Sequence, residues 1–226
     1  MNQIKSIEGP IFEPTSKNKP KQLVVLCHGL GSDGNDLIGL APYFAKTLPD
    51  AIFMSPNAPF PFDMAPSGYQ WFSLENSTPE SRLLGVKEAA PILNNFIDLK
   101  LAELGLEENQ LALVGFSQGA MLGLHAGLRR ENEIAGIIGY SGGLIGEECL
   151  KEEINSRPPV LLVHGDTDEV VPPDALENSV KALAKVGVEV NGELRPGLGH
   201  TLDERGIMLG MDFLAHCFGV SVPNQS

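Results

Sequence analysis

Short, almost wholly apolar runs recur along the chain at Leu23–Cys27, Ala51–Met54, Leu111–Val114, Ile134–Gly139 and Val160–Val163, with a further strand-like segment at Val188–Leu194. Runs this short, apolar at successive positions, are expected of parallel strands covered on both faces. Between them lie segments with helical spacing. Ser77-Thr78-Pro79-Glu80 sets a serine three residues before a glutamate with a proline near the first turn, which predicts a helix running on toward Leu104. Pro91 inside that segment predicts a kink or a split. Ala120–Leu128 and Pro173–Val186 predict further helices, the second closing at Gly187, and Asp203–Phe218 predicts a carboxy-terminal one. The Pro/Lys-rich stretch Pro14–Lys21 reads as a surface loop. Alternating strand and helix imply an α/β architecture, a mostly parallel central sheet with helices on both faces. The loops after its strands then gather along one edge. No repeat or low-complexity linker divides residues 1–226, which read as a single domain with no room for a separate lid domain.

Charge narrows the partners. Of 226 residues 29 are acidic and 16 basic, a formal net charge of −13, and no run of Lys or Arg offers a phosphate-backbone footprint. Nucleic acid is excluded on that ground. Cys27, Cys149 and Cys217 are odd in number, widely spaced, and lack a Cys or His at metal-ligand spacing. They suit a reducing compartment and predict no metal site. The first residues lack the apolar core of a signal peptide, no apolar run reaches the ~18 residues of a membrane span, and residue 2 is Asn, which excludes N-myristoylation. A cytoplasmic globular protein is the expectation.

Candidate chemistry begins at Gly115-Phe116-Ser117-Gln118-Gly119. This is a Gly-x-Ser-x-Gly turn, in which small flanking residues permit the sharp strand-to-helix reversal that lifts a serine Oγ above the sheet. The pattern occurs twice, the second time at Gly139-Tyr140-Ser141-Gly142-Gly143. Ser117 comes after a strand and leads at once into the helix-forming Ala120-Met121-Leu122. After Ser141 come Gly142, Gly143, Leu144, Ile145 and Gly146, too glycine-rich to begin a helix whose amino end would support an oxyanion. Ser117 is therefore the candidate nucleophile and Ser141 a loop residue.

A serine hydroxyl needs a general base oriented by a carboxylate. Downstream of Ser117 stand His125, His164, His200 and His216. His125 falls on the helix after the turn and His216 beside apolar residues, so both are expected to pack or face solvent; His164 ends a strand too early to come after an acid in the order Ser, Asp, His. His200 lies in the glycine-rich loop Pro196-Gly197-Leu198-Gly199-His200 between the last strand and last helix, and is the candidate base. Upstream, Asp166 is placed to organise its turn through backbone N–H groups, leaving Asp168 to hold the imidazole. Two N–H donors for a developing oxyanion are expected, one after the nucleophile, at Gln118, and one in Cys27-His28-Gly29-Leu30-Gly31, at Leu30. His28 is expected to fix that loop by side-chain hydrogen bonds. Gly29-x-Gly31-x-x-Gly34 matches a dinucleotide loop literally, yet the preceding His and the other three placed elements favour the oxyanion loop.

Five separated blocks now stand in order: His28-Gly-Leu-Gly-Ser-Asp-Gly-Asn-Asp36, Ser55-Pro-Asn-Ala-Pro59, Gly115-Phe-Ser-Gln-Gly-Ala120, His164-Gly-Asp-Thr-Asp-Glu-Val-Val-Pro172 and Gly199-His200. Together, over about residues 20–218, they resemble the phospholipase/carboxylesterase family of α/β-hydrolases, which includes acyl-protein thioesterases. The resemblance implies the α/β-hydrolase fold, the same five site residues, and hydrolysis of carboxylic esters without metal or organic cofactor, some members acting on lysophospholipids or acyl thioesters. It favours a serine carboxylesterase for short-to-medium acyl chains over a dienelactone-hydrolase-like enzyme, which has Cys at the elbow, and over a hydrolase-fold binding module.

The segment Phe60–Leu74 gathers three Phe, Tyr69, a Met and the chain's one Trp. Exposed, it lines or covers an acyl site through Trp71, Phe72 and Leu74; buried, it is a satellite core. Val171 is expected near the chemistry either way. The partners admitted are an ester or lipid-like small molecule, transient lipid contact and a homodimer. Acidity extending around the Ser117 edge would disfavour anionic substrates.

Overall fold

The computed structural model describes residues 5–75 and 77–220. In chain order it contains β1 (Ile11–Phe12), β2 (Gln22–Cys27), α1 (Gly34–Leu37), α2 (Ala41–Phe44), β3 (Ala51–Met54), β4 (Phe60–Pro61), β5 (Tyr69–Gln70), α3 (Pro79–Leu104), β6 (Leu111–Phe116), α4 (Gln118–Gly127), β7 (Gly136–Tyr140), α5 (Glu147–Glu153), β8 (Val160–Gly165), α6 (Asp174–Lys185), β9 (Val190–Arg195) and α7 (Glu204–Cys217). The central sheet runs β1-β3-β2-β6-β7-β8-β9. Every pairing in it is parallel except that of β1 with β3.

The unbroken apolar runs have their reason in the two faces of this sheet. Leu23, Val25, Leu111, Leu113, Ile137 and Leu162 point to a core shared with Val86, Leu93 and Ile97 of α3, Leu122 of α4 and Leu183 of α6. The alternate residues Val24, Leu26, Ala112, Val114, Ile138 and Val163 meet Phe44 of α2 and Leu214 of α7 on the other side. With successive side chains pointing to opposite faces, a strand covered twice must be apolar at nearly every position. Each fully buried Leu or Phe contributes about 1.5–3 kcal/mol of transfer free energy.

α3 corrects two expectations. Its amino terminus is capped one residue later than the Ser77/Glu80 pair suggested. Thr78 Oγ1 accepts from the Ser81 N–H at 3.1 Å while Ser81 Oγ accepts from the Thr78 N–H at 2.9 Å. Nor is the helix split: it is continuous from Pro79 to Leu104 with Pro91 inside it. Pro91 is exposed, so the carbonyl it leaves without a partner faces water, while Val86, Ala89, Leu93 and Ile97 hold the opposite face to the sheet. The helix ends at Gly105, whose φ of 67° suits glycine.

The two-residue β1, the short α1 and α2, α5, and the β4–β5 hairpin inside the aromatic segment were not apparent in the hydrophobic pattern, each being too short for a period to register. Among the described residues no helix is long and apolar enough to cross a membrane, and all three cysteines are free. Burial pushes the Cys27 thiol up to about 12.

Candidate active site

β6 ends at Phe116 and α4 begins at Gln118, so one residue makes the whole reversal. That residue, Ser117, has φ 52° and ψ −116°, a region that costs a non-glycine residue about 1–3 kcal/mol. Its N–H continues the sheet ladder to the Tyr140 carbonyl at 2.8 Å. The flanking glycines are required by space: a Cβ on Gly115 would stand 2.4 Å from the Ala120 nitrogen, and one on Gly119 would stand 1.9 Å from the Cys27 carbonyl oxygen.

The loop after β9 brings His200 over this turn. His200 Nε2 lies 3.0 Å from Ser117 Oγ, and Nδ1 lies 2.8 Å from Asp168 Oδ2. An ionised carboxylate only accepts, so Nδ1 carries the ring proton and Nε2 presents a lone pair to the serine hydroxyl. The imidazole also packs on Phe116, ring centroids 4.9 Å apart.

Asp168 has a fully buried side chain. Burial alone would raise its pKa, but the His200 hydrogen bond and those from the Val171 and Val170 N–H groups outweigh it, holding the carboxyl below its ordinary value. Both backbone groups donate to Oδ1 at 2.9 Å, which turns Oδ2 toward His200. Asp166 takes the Gly197 N–H at 2.6 Å and so braces the loop that carries His200.

Leu30 and Gln118 border the same cleft. Among the described residues no backbone carbonyl takes the Leu30 N–H, and Gln118 opens α4, whose first N–H groups have no partner within the helix. His28 fixes the Leu30 loop, in line with its sequence context. Its Nδ1 donates to the Gly29 carbonyl at 2.7 Å, and its Nε2 accepts the Ala58 N–H at 3.0 Å.

The aromatic segment divides. Leu74 and Val171 line the cleft, together with Phe116, Met121 and Val170. Trp71 and Phe72 do not: both are buried in the core beneath it. The Gln118 side chain clamps them there, accepting the Trp71 N–H at 2.8 Å and donating to the Phe72 carbonyl at 2.7 Å. The Trp71 indole N–H is spent on the His28 carbonyl at 3.0 Å. Trp71 is thus a strut between α4 and the Leu30 loop, a role that an apolar count cannot distinguish from substrate contact.

The cleft encloses about 350 Å³. A larger depression of about 440 Å³, between the β4–β5 hairpin and α3, contains none of Ser117, Asp168 and His200. The charged lining of the Ser117 cleft is one acid, Asp36, and one base, Arg82, so the net charge of the chain is not concentrated there. His125 is buried, with burial and Arg129 lowering its pKa to about 4, and His216 is exposed; neither meets the cleft.

Residues 11–218 match the family described as Phospholipase/Carboxylesterase. Esterase YpfH of Escherichia coli (strain K12) is 29% identical over 207 residues, spanning 91% of this chain and 87% of its own. Acyl-protein thioesterase 1 of Neurospora crassa is 30% identical over 196 residues, 79% of each chain. Among solved structures, esterase PE8 superposes with a TM-score of 0.90 at 40% identity, covering 94% of this chain and 100% of its own. The carboxylesterase of Bacillus cereus, at 17% identity and a TM-score of 0.73, shares the fold. The chain is a member of the phospholipase/carboxylesterase family of α/β-hydrolases, a carboxylic ester hydrolase.

Proposed function

We propose that the protein hydrolyses carboxylic esters of short-to-medium acyl chains through an acyl-enzyme on Ser117. The observation that carries this is the relay of Ser117 Oγ, His200 and Asp168 at 3.0 and 2.8 Å, standing on a strand-to-helix turn. Ser117 Oγ attacks the ester carbonyl as His200 Nε2 takes its proton, and Asp168 stabilises the imidazolium that forms. The Leu30 and Gln118 N–H groups receive the oxyanion. When the tetrahedral intermediate collapses, the leaving alcohol takes the proton from His200. Water, activated by the same imidazole, then releases the acid and restores Ser117. The apolar wall of Leu30, Leu74, Met121, Val170 and Val171 suits the acyl or alcohol chain.

A second reading, an acyl thioester as the main substrate, is favoured by the relatives named acyl-protein thioesterase 1. The same steps apply, with a thiol as leaving group. Paired oxygen esters and thioesters of increasing acyl length distinguish the two by kcat/KM. On the p-nitrophenyl ester, Ser117→Ala is expected to lose about 10⁶-fold in kcat and Ser141→Ala to stay near wild type. Full activity in Ser117→Ala, or equal loss in both, overturns the assignment.

A further inference from the structure

A second imidazole reaches the carboxylate that serves His200. His164 is the fifth residue of β8, 1% exposed. Its Nε2 lies 2.9 Å from the Val171 carbonyl oxygen and 3.2 Å from Asp168 Oδ2, the oxygen that also accepts from His200 Nδ1. A carbonyl only accepts, so His164 Nε2 carries the proton and donates it to Val171, with Asp168 Oδ2 close beside that bond. Nδ1 is then a bare lone pair, buried and without a hydrogen-bond partner among the described residues. A buried histidine kept only for packing is normally satisfied at both nitrogens. Here one nitrogen goes unpaired while the other holds the Val171 carbonyl and stands 3.2 Å from Asp168 Oδ2.

We propose that His164 is a positioning residue, holding Asp168 Oδ2 in line with His200 Nδ1 throughout the reaction. This rests on the reading of Ser117, His200 and Asp168 given above. The Val170 and Val171 N–H groups fix Oδ1 from one side; His164 stands against Oδ2 on the other and, through the Val171 carbonyl, holds the turn that supplies those N–H groups. Without it, both the carboxyl rotation and the turn loosen. The effect falls on the step in which the imidazolium forms, and therefore on kcat. His164 does not reach the cleft and exchanges no proton with substrate.

Two substitutions separate positioning from packing. His164→Gln can set an amide N–H near the place of the imidazole Nε2–H, whereas His164→Met fills similar length without a donor. Rates on a p-nitrophenyl ester are normalised to sites titrated with a fluorophosphonate, so that misfolded molecules do not count. Partners that orient an active-site side chain typically cost 10–100-fold when removed, so His164→Met is expected to lower kcat by about that factor with KM nearly unchanged, and His164→Gln to recover most of it. Wild-type kcat in His164→Met, or equal losses in both variants, overturns the proposal. Should His164→Met yield no titratable sites, His164→Gln decides alone: a kcat below about a tenth of wild type contradicts the role. A fully active Ser117→Ala would instead remove the reading on which it rests, while an inactive Ser117→Ala beside a wild-type His164→Met sinks this inference only.

Discussion

The two Gly-x-Ser-x-Gly turns are neighbours in space and alike in the φ of their serines. Phe116 and Tyr140 are paired across β6 and β7, so Ser117 and Ser141 leave the sheet side by side. The Ser117 N–H bonds the Tyr140 carbonyl and the Ser141 N–H bonds the Val163 carbonyl, at 2.8 and 2.9 Å. Both serines hold positive φ, 52° and 48°. They differ in the chain beyond them and in the partner each hydroxyl meets. Ser117 enters α4 and meets His200; Ser141 is 1% exposed, and its Oγ lies 3.5 Å from the Thr201 carbonyl oxygen. A strained serine after a parallel strand is thus a product of this sheet edge, and the helix and imidazole distinguish the one at the cleft from the one packed beneath the His200 loop.

The two turns should differ most in the variants Ser117→Ala and Ser141→Ala, with their expected loss and retention of esterase activity. Next in size is Gly142→Ala. A Cβ there would stand 2.7 Å from the Ser117 carbonyl oxygen and from Ala120 Cβ, so position 142 is glycine because the first turn lies against it. The substitution is expected to displace Ser117 and lower kcat by about ten- to a hundredfold, measured with the fold intact by circular dichroism. Unchanged kcat would show the two turns to be mechanically independent.

The smallest effect tests the strain itself. Ser117→Gly and Ser117→Ala both remove the hydroxyl, but only glycine is at ease at φ 52°. Denaturant unfolding should find Ser117→Gly more stable than Ser117→Ala by about 1 kcal/mol, after glycine's greater unfolded-state entropy is subtracted. Equal stabilities would mean that the turn stores no appreciable strain.

Ser117 and Ser141 are separable in the sequence because the helix-forming Ala120-Met121-Leu122 and the glycines after Ser141 are local signals. The strand runs are legible for a similar reason, since covering on both faces forces apolar residues at successive positions. The role of Trp71 is not. Whether a large aromatic lines a cleft or braces it depends on the Gln118 amide and the His28 carbonyl, 47 and 43 residues away in the chain. His164 falls outside the order Ser, Asp, His because it precedes Asp168, although its position four residues before that aspartate, at the end of a strand, is a signal that the two share one turn. The capping of α3 turns on Ser81 standing in for the expected glutamate. The unbroken run through Pro91 turns on which face meets the sheet, which tertiary packing decides.

Reacting the wild-type protein with a fluorophosphonate and mapping the adduct by peptide mass spectrometry decides whether, of two similar serines, Ser117 alone is the nucleophile. A single stoichiometric adduct on Ser117 is expected, abolished in Ser117→Ala and retained in Ser141→Ala. An adduct on Ser141, or none on either serine, would contradict it.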